Sequence, residues 1–291
     1  MRVAMEVAEY ESQGVQGMKT CIELKKFYEV AGGTLNAYTI DCPTGDERRW
    51  KRPAVIVLPG GGYEHVSKRE GANVACQFLA RGFQTFVLEY LTVHDGVHYP
   101  EQLHELAAAV DYIKNNCAEY HVNRDEIFVL GFSAGGHLAA NLAVEHFNIL
   151  QITGERLDCK PTAVGLAYPV ISSKLRHTRS FECLLSGYSE EEQRKILPRL
   201  NLDEAVSEHT PPAFIWTTAQ DSVVPASNSM YFALALAQKN ISYELHVYPE
   251  TNHGSSICDF EVNGECAAYK KNARWVEDCA QFFRLFTVEK Y

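Results

Sequence analysis

The stretch that most constrains this chain is a short apolar run that leads into a serine flanked by glycines. Residues 127–130 read Ile-Phe-Val-Leu, and Gly131-Phe-Ser133-Ala-Gly135-Gly136 follows directly. The run is long enough for a buried strand and too short for a helix of its own, and it breaks at glycine. Apolar residues at positions 138, 139, 142 and 143 then recur at helical spacing. Ser133 is therefore predicted to lie at a sharp turn from a strand into a helix.

Such a turn is the setting of a nucleophile elbow, in which a serine hydroxyl is exposed above the sheet. Gly131 and Gly135 occupy the flanking positions of Gly-x-Ser-x-Gly, where side chains would keep strand and helix apart. A helix that begins at Ala134 directs free N–H groups and its positive dipole end to the place where an oxyanion would form. The alternative is an ordinary glycine turn. A dinucleotide-binding loop is less well supported, because Ser133 stands where that loop needs a glycine.

The rest of the chain alternates strand-like and helix-like segments. Helical stripes are predicted at 74–79, 100–113, 230–241 and 275–286, and strand-like runs at 24–30, 35–40, 54–58, 83–88, 163–167, 213–216 and 243–248. Gly32-Gly33 between the first two runs indicates a hairpin at the edge of the sheet. The alternation predicts an α/β fold with a mostly parallel central sheet, helices on both faces and right-handed crossovers. The less regular residues 170–210 are expected to form a short cap-like insertion.

One domain is the simplest organisation for this chain. No linker, internal repeat or low-complexity tract divides it, so residues 21–291 are predicted to form a single domain. Residues 1–20 are polar, with glycines at positions 14 and 17, and are interpreted as an N-terminal extension. With 291 residues, 46% of them hydrophobic and 22% charged, the chain is able to bury a sizeable core.

Charge and the pattern of apolar residues narrow the class of partner. The chain has 27 basic and 37 acidic residues, a net charge of −10, and no cluster of Lys and Arg that could neutralise a run of phosphates. No nucleic-acid partner is therefore expected. The first residues carry acids where a signal peptide has its apolar core, and no apolar run reaches membrane-spanning length, so no membrane partner is expected either. The oligomeric state, a homo-oligomer included, stays open.

The cysteines and most histidines show no pattern of metal ligands. Nine cysteines are scattered without C-x-x-C pairs or zinc-finger spacing, and their number is odd. This usage is typical of reduced thiols in a cytoplasmic protein, and it predicts no metal site. His137 on the predicted elbow helix and His246 within a predicted strand are interpreted as packing residues.

A serine at pH 7 needs a neighbouring base that is itself oriented by a third group. After a nucleophile elbow, these partners follow in the order Asp or Glu, then His, each in a loop after a later strand. Asp221 and His253 lie in the loops that follow the last two predicted strands. Ser133, Asp221 and His253 are therefore predicted to form a catalytic triad, in which His253 takes the serine proton and Asp221 fixes the imidazole tautomer. Glu250 is an alternative acidic partner. The alternatives for the predicted pair are a helix N-cap aspartate and a surface-loop histidine.

A glycine-rich loop follows the predicted strand 54–58 and reads Pro59-Gly-Gly-Gly-Tyr63. Side chains there would block the backbone from approaching a tetrahedral intermediate. The amides of Gly61 and Gly62, with that of Ala134 after the nucleophile, are therefore predicted to form an oxyanion hole. An ordinary glycine turn is again the alternative, whereas a Walker loop is excluded because no Gly-Lys-Ser/Thr follows.

Taken together, these motifs resemble α/β-hydrolases of the carbohydrate acetylesterase type, close to bacterial acetylxylan-esterase-like proteins and more distantly to hormone-sensitive-lipase-like esterases. Pro59 departs from the second branch, which has the histidine of His-Gly-Gly-Gly at this position. The resemblance spans about residues 54–256 and rests on Leu58-Pro-Gly-Gly-Gly-Tyr63, Lys68-Arg-Glu-Gly71, Gly131-Phe-Ser-Ala-Gly-Gly-His-Leu138, Thr210-Pro-Pro-Ala-Phe-Ile-Trp216, Asp221 with Val224-Pro225, and Glu244-Leu-His246 leading to His253-Gly254.

The resemblance implies an α/β-hydrolase fold and a serine hydrolase that cleaves short-chain acyl esters through an acyl-enzyme intermediate, without a cofactor. The implied substrate is a small-molecule ester, with acetyl groups on sugars or xylo-oligosaccharides favoured. The short insertion at 170–210 would suit a small acyl group and an open sugar site. Three alternatives stay open: a general short-chain carboxylesterase, a formamidase-like amidase with the same triad, and a non-catalytic ligand-binding homologue.

Overall fold

A single sheet runs through the part of the chain that the computed structural model describes, which comprises residues 19–43, 45 and 50–288. Its strands, in chain order, are β1 (Lys19–Glu23), β2 (Thr34–Tyr38), β3 (Arg52–Leu58), β4 (Gln84–Glu89), β5 (Val122–Phe132), β6 (Val164–Ala167), β7 (Ala213–Thr218) and β8 (Tyr243–Tyr248). Across the sheet they stand in the order β1-β2-β4-β3-β5-β6-β7-β8. The non-sequential order around β3 and β5 places these strands at the centre.

The sheet is mostly parallel. Every neighbouring pair from β4 across to β8 is parallel. The hairpin of β1 and β2 is antiparallel and lies at one edge, where β2 also pairs with β4 in antiparallel fashion. Because the parallel strands all point the same way, the loops after β3, β5, β7 and β8 lie together at the carboxyl end of the sheet. The predicted mostly parallel sheet is confirmed, and a hairpin does lie at its edge, although its first strand is Lys19–Glu23 and not the predicted 24–30.

Helices cover both faces of this sheet. Within the described ranges none of them is both long and apolar enough to cross a membrane. They are α1 (Ala72–Ala80), α2 (Glu101–Asn115), α3 (Ala134–Glu145), α4 (Ile149–Thr153), α5 (Arg179–Leu185), α6 (Glu190–Ile196), α7 (Leu202–Ala205), α8 (Ser227–Gln238), α9 (Phe260–Asn263), α10 (Ala267–Asn272) and α11 (Trp275–Arg284).

Alternate residues of the central strands feed two separate cores. Ile56 and Val129 point into a cluster built with α2, α3, α8 and the segment between β6 and β7. Val57 and Phe128 point to the opposite face, where α1 and α11 cover them. Since successive side chains of a strand point to opposite faces, a strand buried on both sides reads as a continuous apolar run. This is the physical reason for the apolar runs in β3 and β5.

The expected strand at residues 24–30 is wrong. The first strand ends at Glu23, and Leu24–Lys26 form a short 3-10 turn. The amide of Leu24 donates to the carbonyl oxygen of Gly33 (3.1 Å), so the chain folds back here instead of continuing as a strand. Leu24 is buried while the two lysines that follow it are exposed, a pattern that a turn accommodates as well as a strand does. The strand itself lies five residues earlier than expected, at Lys19–Glu23.

The predicted insertion at 170–210 is confirmed as the segment between β6 and β7, which contains α5, α6 and α7. Its apolar side chains pack into the same core as α3, among them Phe181, Leu184 and Leu200. Most of the predicted N-terminal extension, residues 1–20, lies outside the described residues, and Lys19 and Thr20 belong to β1. The single-domain organisation of 21–291 stays a prediction.

Candidate active site

Ser133 alone makes the turn between β5 and α3. Its backbone has φ 53° and ψ −115°, a conformation that residues with side chains rarely adopt. The amide of Ser133 donates to the carbonyl oxygen of Ala167 (3.0 Å), and its carbonyl oxygen accepts from the amides of His137 and Val170 (both 3.1 Å). These bonds hold the strained turn in place, and the predicted strand-turn-helix geometry is confirmed.

The flanking glycines allow strand and helix to touch. A Cβ atom on Gly131 would come closer than 3.0 Å to the carbonyl oxygen of Gly135, a separation that real Cβ atoms do not show. A Cβ atom on Gly135 would meet the carbonyl oxygen of Leu58 at the end of β3 in the same way. Any side chain at these two positions would therefore push α3 away from the sheet.

The structure brings the three predicted triad residues into hydrogen-bond contact. The Nε2 atom of His253 lies 2.8 Å from the Oγ atom of Ser133, and its Nδ1 atom lies 2.6 Å from the Oδ2 atom of Asp221. Asp221 comes from the loop after β7, and His253 from the loop after β8, residues 249–258, called the histidine loop below. Glu250 is exposed, and among the described residues its side chain makes no hydrogen bond to the imidazole of His253. The acidic partner is therefore Asp221.

Asp221 presents one oxygen atom to the imidazole and has the other occupied. Its Oδ1 atom accepts the amides of Val223 and Val224, both at 2.9 Å, and its side chain is buried. An ionised carboxylate only accepts hydrogen bonds, so the proton between Asp221 and His253 belongs to Nδ1. The Nε2 atom is then left with a lone pair directed at the hydroxyl of Ser133. This arrangement suits removal of the serine proton.

The loop at residues 59–64, called the glycine loop below, lies against the serine. A Cβ atom on Gly60 would be 2.9 Å from the Cβ atom of Ser133. The amide of Gly60 already donates to Glu70 (2.8 Å). Among the described residues, the amides of Gly61, Gly62 and Ala134 have no acceptor. The predicted oxyanion donors therefore have no bond to break before they bind an oxyanion, whereas the amide of Gly60 is already bonded to Glu70.

His137 is a buried bridge between the glycine loop and the insertion. Its Nδ1 atom accepts the hydroxyl of Tyr63 (2.8 Å), and its Nε2 atom donates to the carbonyl oxygen of Leu200 (3.1 Å). Complete burial lowers the pKa of His137 to about 4, so the ring is neutral. The predicted packing role therefore includes a hydrogen-bonded link that its sequence position did not reveal.

His246 lies away from the triad, on β8. Its ring stacks on Tyr248 with an interplanar angle of 16° and packs against Phe214. Its Nε2 atom lies 2.5 Å from the carboxylate of Glu244. These contacts are those expected of a packing residue.

Sequence reasoning missed Glu70 and Tyr168 as parts of the site. Glu70 accepts the Gly60 amide, and the hydroxyl of Tyr168 donates to Glu70 (2.7 Å). The ring of Tyr168 packs edge-on against His253, with 5.0 Å between ring centroids. Two signals were present: Glu70 lies in Lys68-Arg-Glu-Gly71, one of the motifs of the family resemblance, and Tyr168 directly follows β6.

Residues 40–236 match the BD-FAE family, which is more than half of the chain. The chain belongs to the BD-FAE family. Among curated relatives of this BD-FAE member, endo-1,4-β-xylanase B of Butyrivibrio fibrisolvens is 36% identical over 217 residues, which cover 72% of the chain and 34% of that xylanase. The acetylxylan esterase of Xylanibacter ruminicola is 26% identical over 205 residues, which cover 69% of the chain and 40% of that esterase. The BD-FAE chain thus spans well under half the length of these relatives.

Among solved structures, the BD-FAE chain is similar to the acetyl ester-xyloside bifunctional hydrolase from Caldicellulosiruptor lactoaceticus. The two share 28% sequence identity and superpose with a TM-score of 0.78, over 94% of this chain and 98% of the other. The likeness extends over nearly the whole of both chains. The α/β-hydrolase fold implied by the sequence motifs is thereby confirmed.

Proposed function

We propose that this BD-FAE member is a serine hydrolase of acetylated sugars, with Ser133, Asp221 and His253 as its catalytic triad. The observation that carries the proposal is the pair of hydrogen bonds at His253, 2.8 Å to the serine hydroxyl and 2.6 Å to the buried carboxylate. A protein that only bound a ligand would have no use for an oriented base behind its serine. Both Ser133 and His253 retain some exposure, 9% and 14%, so a small ester is able to reach them.

In the first half of the reaction, the Oγ atom of Ser133 attacks the acetyl carbonyl carbon while the Nε2 atom of His253 takes the hydroxyl proton. The carboxylate of Asp221 stabilises the imidazolium that results. Collapse of the tetrahedral intermediate breaks the bond to the sugar oxygen, which receives the proton from His253. The products of this half are a deacetylated sugar hydroxyl and an acetyl ester on Ser133.

In the second half, water attacks the acetyl ester as His253 takes one of its protons. The second tetrahedral intermediate expels the Ser133 oxygen, which recovers a proton from His253, and acetate leaves. Every step uses side chains and backbone amides of this chain, together with water.

The negative oxygen of both intermediates needs donors that are in place before the reaction starts. The amides of Gly61, Gly62 and Ala134 are the proposed donors. Support comes from their lack of any acceptor among the described residues, because a donor already bonded within the protein would have to break that bond first.

The substrate class rests on the relatives and on the shape of the insertion. The matched proteins are named as a xylanase, an acetylxylan esterase and an acetyl ester-xyloside hydrolase. The insertion between β6 and β7 consists of short helices that pack into the core, which suits an open site and a small acyl group. An acetylated xylo-oligosaccharide is the substrate that agrees with both observations.

The cytoplasm is the proposed location of the reaction. Cys21, Cys76 and Cys266 are exposed thiols, and thiols at the surface suit a reducing compartment. Fractionation of the source cell tests this: we expect the protein in the fraction that holds cytoplasmic enzymes. Recovery from the medium or from an oxidising compartment would contradict the proposed location.

Acetate release from acetylated xylo-oligosaccharides, compared with turnover of aryl acetate, butyrate and octanoate esters, tests the proposed function. The Ser133→Ala variant serves as the blank. We expect kcat/KM for the acetylated sugar to exceed that for aryl acetate by about tenfold or more, which is about 1.4 kcal/mol of transition-state binding. Equal or better turnover of the aryl esters would indicate a general carboxylesterase or an amidase. A wild-type serine that a fluorophosphonate does not label would indicate a non-catalytic homologue.

A further inference from the structure

A buried carboxylate connects the glycine loop to the histidine loop. The side chain of Glu70 is almost completely buried, and each of its oxygens accepts one hydrogen bond. The Oε2 atom accepts the amide of Gly60 (2.8 Å), and the Oε1 atom accepts the hydroxyl of Tyr168 (2.7 Å). Neither oxygen pairs with a Lys or Arg among the described residues. Burial of a carboxylate is costly, so a neutral side chain would serve better here if the position only filled space.

Tyr168 extends this connection to the histidine loop. Its hydroxyl accepts the amide of Ser256 (2.9 Å), and its ring lies edge-on against the ring of His253. Burial and the neighbouring Glu70 raise the pKa of Tyr168 well above its ordinary value of 10, so the hydroxyl keeps the proton that it donates. Ser256 has φ 52°, a conformation that needs external support, and its hydroxyl donates to the carbonyl oxygen of Arg69 (2.5 Å).

On the side of the glycine loop, the carboxylate of Glu70 fixes the orientation of one peptide plane. The amide of Gly60 and the carbonyl group of Pro59 belong to the same peptide unit. Glu70 holds the N–H group, and the hydroxyl of Tyr90 holds the carbonyl oxygen from another direction (2.7 Å). Because a carboxylate accepts and never donates, it rejects a flipped peptide that would turn the carbonyl group toward it. The next two peptide units of the loop carry the proposed oxyanion donors.

We propose that Glu70 is a positioning residue for ester hydrolysis, which sets the separation between the oxyanion donors of the glycine loop and the imidazole of His253. This inference rests on the function proposed above. Glu70 touches neither the substrate nor the reacting atoms. It acts through Gly60 on one side and through Tyr168 and Ser256 on the other.

The test compares Glu70→Ala, Glu70→Gln and Tyr168→Phe with the wild-type enzyme. Turnover of an aryl acetate gives kcat and KM, and a trifluoromethyl ketone, which forms an oxyanion adduct with the serine, gives an inhibition constant. Urea unfolding defines conditions in which each variant is folded. Tyr248→Phe is the matched control, since Tyr248 is a buried tyrosine whose hydroxyl has no hydrogen-bond partner among the described residues.

We expect Glu70→Ala to lower kcat by about 100-fold, in the range found for loss of an oxyanion donor. Tyr168→Phe should lower it by about tenfold, since it keeps the ring and removes the hydroxyl that joins Glu70 to Ser256. Glu70→Gln should fall between wild type and Glu70→Ala, because glutamine still offers one acceptor. The inhibition constant should rise in parallel with the loss of kcat while KM changes by less than about threefold, since only the transition state and the adduct carry the oxyanion. Tyr248→Phe should stay within about twofold of wild type in all three quantities.

A folded Glu70→Ala enzyme with wild-type kcat, or one that loses kcat with an unchanged inhibition constant, would overturn the inference while the proposed function stood. If Glu70→Ala does not fold, Tyr168→Phe and Glu70→Gln decide in its place. A wild-type protein that neither hydrolyses esters nor reacts with a fluorophosphonate at Ser133 would overturn the proposed function and this inference together. The activity of the wild-type enzyme therefore separates the two failures.

Discussion

Two histidines of this protein are held in nearly the same way and differ in what surrounds them. His253 has a hydrogen bond at each ring nitrogen, to Ser133 and to Asp221, and its side chain is 14% exposed. His137 also has a bond at each nitrogen, to the hydroxyl of Tyr63 and to a backbone carbonyl oxygen, and is completely buried. Both rings are therefore held in a single orientation.

The difference lies in the charge of the partner and in the access of water. A carboxylate beside Nδ1 stabilises a positive imidazole, so His253 is able to accept a proton during a reaction. His137 faces a neutral hydroxyl and a neutral carbonyl group, and burial lowers its pKa to about 4. It is suited to hold Tyr63 of the glycine loop against the insertion and not to transfer protons. Hydrogen-bond geometry alone thus does not identify a catalytic histidine.

The largest effect should come from removing the base or the nucleophile. We expect Ser133→Ala and His253→Ala each to lower kcat by about 10⁶-fold, because the triad acts as a unit. Ser229→Ala is the matched control, since Ser229 is a buried serine whose hydroxyl has no partner among the described residues. Turnover of an aryl acetate measures the effect. Activity within about tenfold of wild type in either variant would show that the proposed triad is not the catalytic centre.

Changing the charge beside His253 should have the next largest effect. Asp221→Asn keeps the size of the side chain but replaces one acceptor oxygen by an NH₂ group. An NH₂ group beside Nδ1 favours the imidazole tautomer with its proton on Nε2, which cannot accept the serine proton. We expect kcat to fall by about 10⁴-fold. Asp125→Asn, at an exposed aspartate on β5, should leave kcat unchanged. A mild loss in Asp221→Asn would mean that His253 does not depend on the carboxylate, and the contrast with His137 would disappear.

Removing the buried bridge should lower stability. His137→Leu leaves the hydroxyl of Tyr63 and the carbonyl oxygen of Leu200 buried without their partner. We expect the free energy of unfolding to fall by about 2–4 kcal/mol. His94→Leu, at an exposed histidine, should change it by less than about 0.5 kcal/mol. Urea unfolding of the three proteins at pH 7 gives both values, and equal stabilities would show that the bridge contributes nothing.

The smallest effect is the part of the pH dependence of stability that the substitution of His137 should remove. Its pKa is depressed from 6.5 to about 4 in the folded protein, so the stability that it confers is present above pH 6.5 and is lost as the pH falls toward 4. The gap in unfolding free energy between wild type and His137→Leu should therefore shrink by up to about 2 kcal/mol from pH 7 to pH 5. Urea unfolding at both pH values measures this change. A gap that is constant with pH would contradict a buried neutral imidazole.

Much of the fold was predictable because its signals are local. The apolar runs of β3 and β5 and the helical stripes of α1, α2 and α11 each lie within about a dozen residues of sequence. Gly131 and Gly135 at the elbow mark a close approach that a side chain at either position would prevent. The strand expected at 24–30 was wrong because Leu24 is equally suited to end a strand or to anchor a turn, and only its bond to Gly33 decides between them.

The candidates for catalysis were already apparent from the amino-acid sequence. The order of Ser133, Asp221 and His253 along the chain, each after a predicted strand, was sufficient because parallel strands bring their carboxyl ends to one edge. The contacts among these residues depend on the folded chain, in which Asp221, and not Glu250, is hydrogen-bonded to His253.

The tertiary structure alone revealed Glu70 and Tyr168 as links between two loops, and His137 as a bridge. Glu70 and Tyr168 are 98 positions apart, and His137 and Tyr63 are 74 apart. No periodicity or spacing marks such pairs. Their contact depends on how the sheet, the helices and the insertion pack, and burial then fixes the protonation state of each side chain. Local patterns specify elements, whereas the surroundings of a buried polar group exist only in the folded protein.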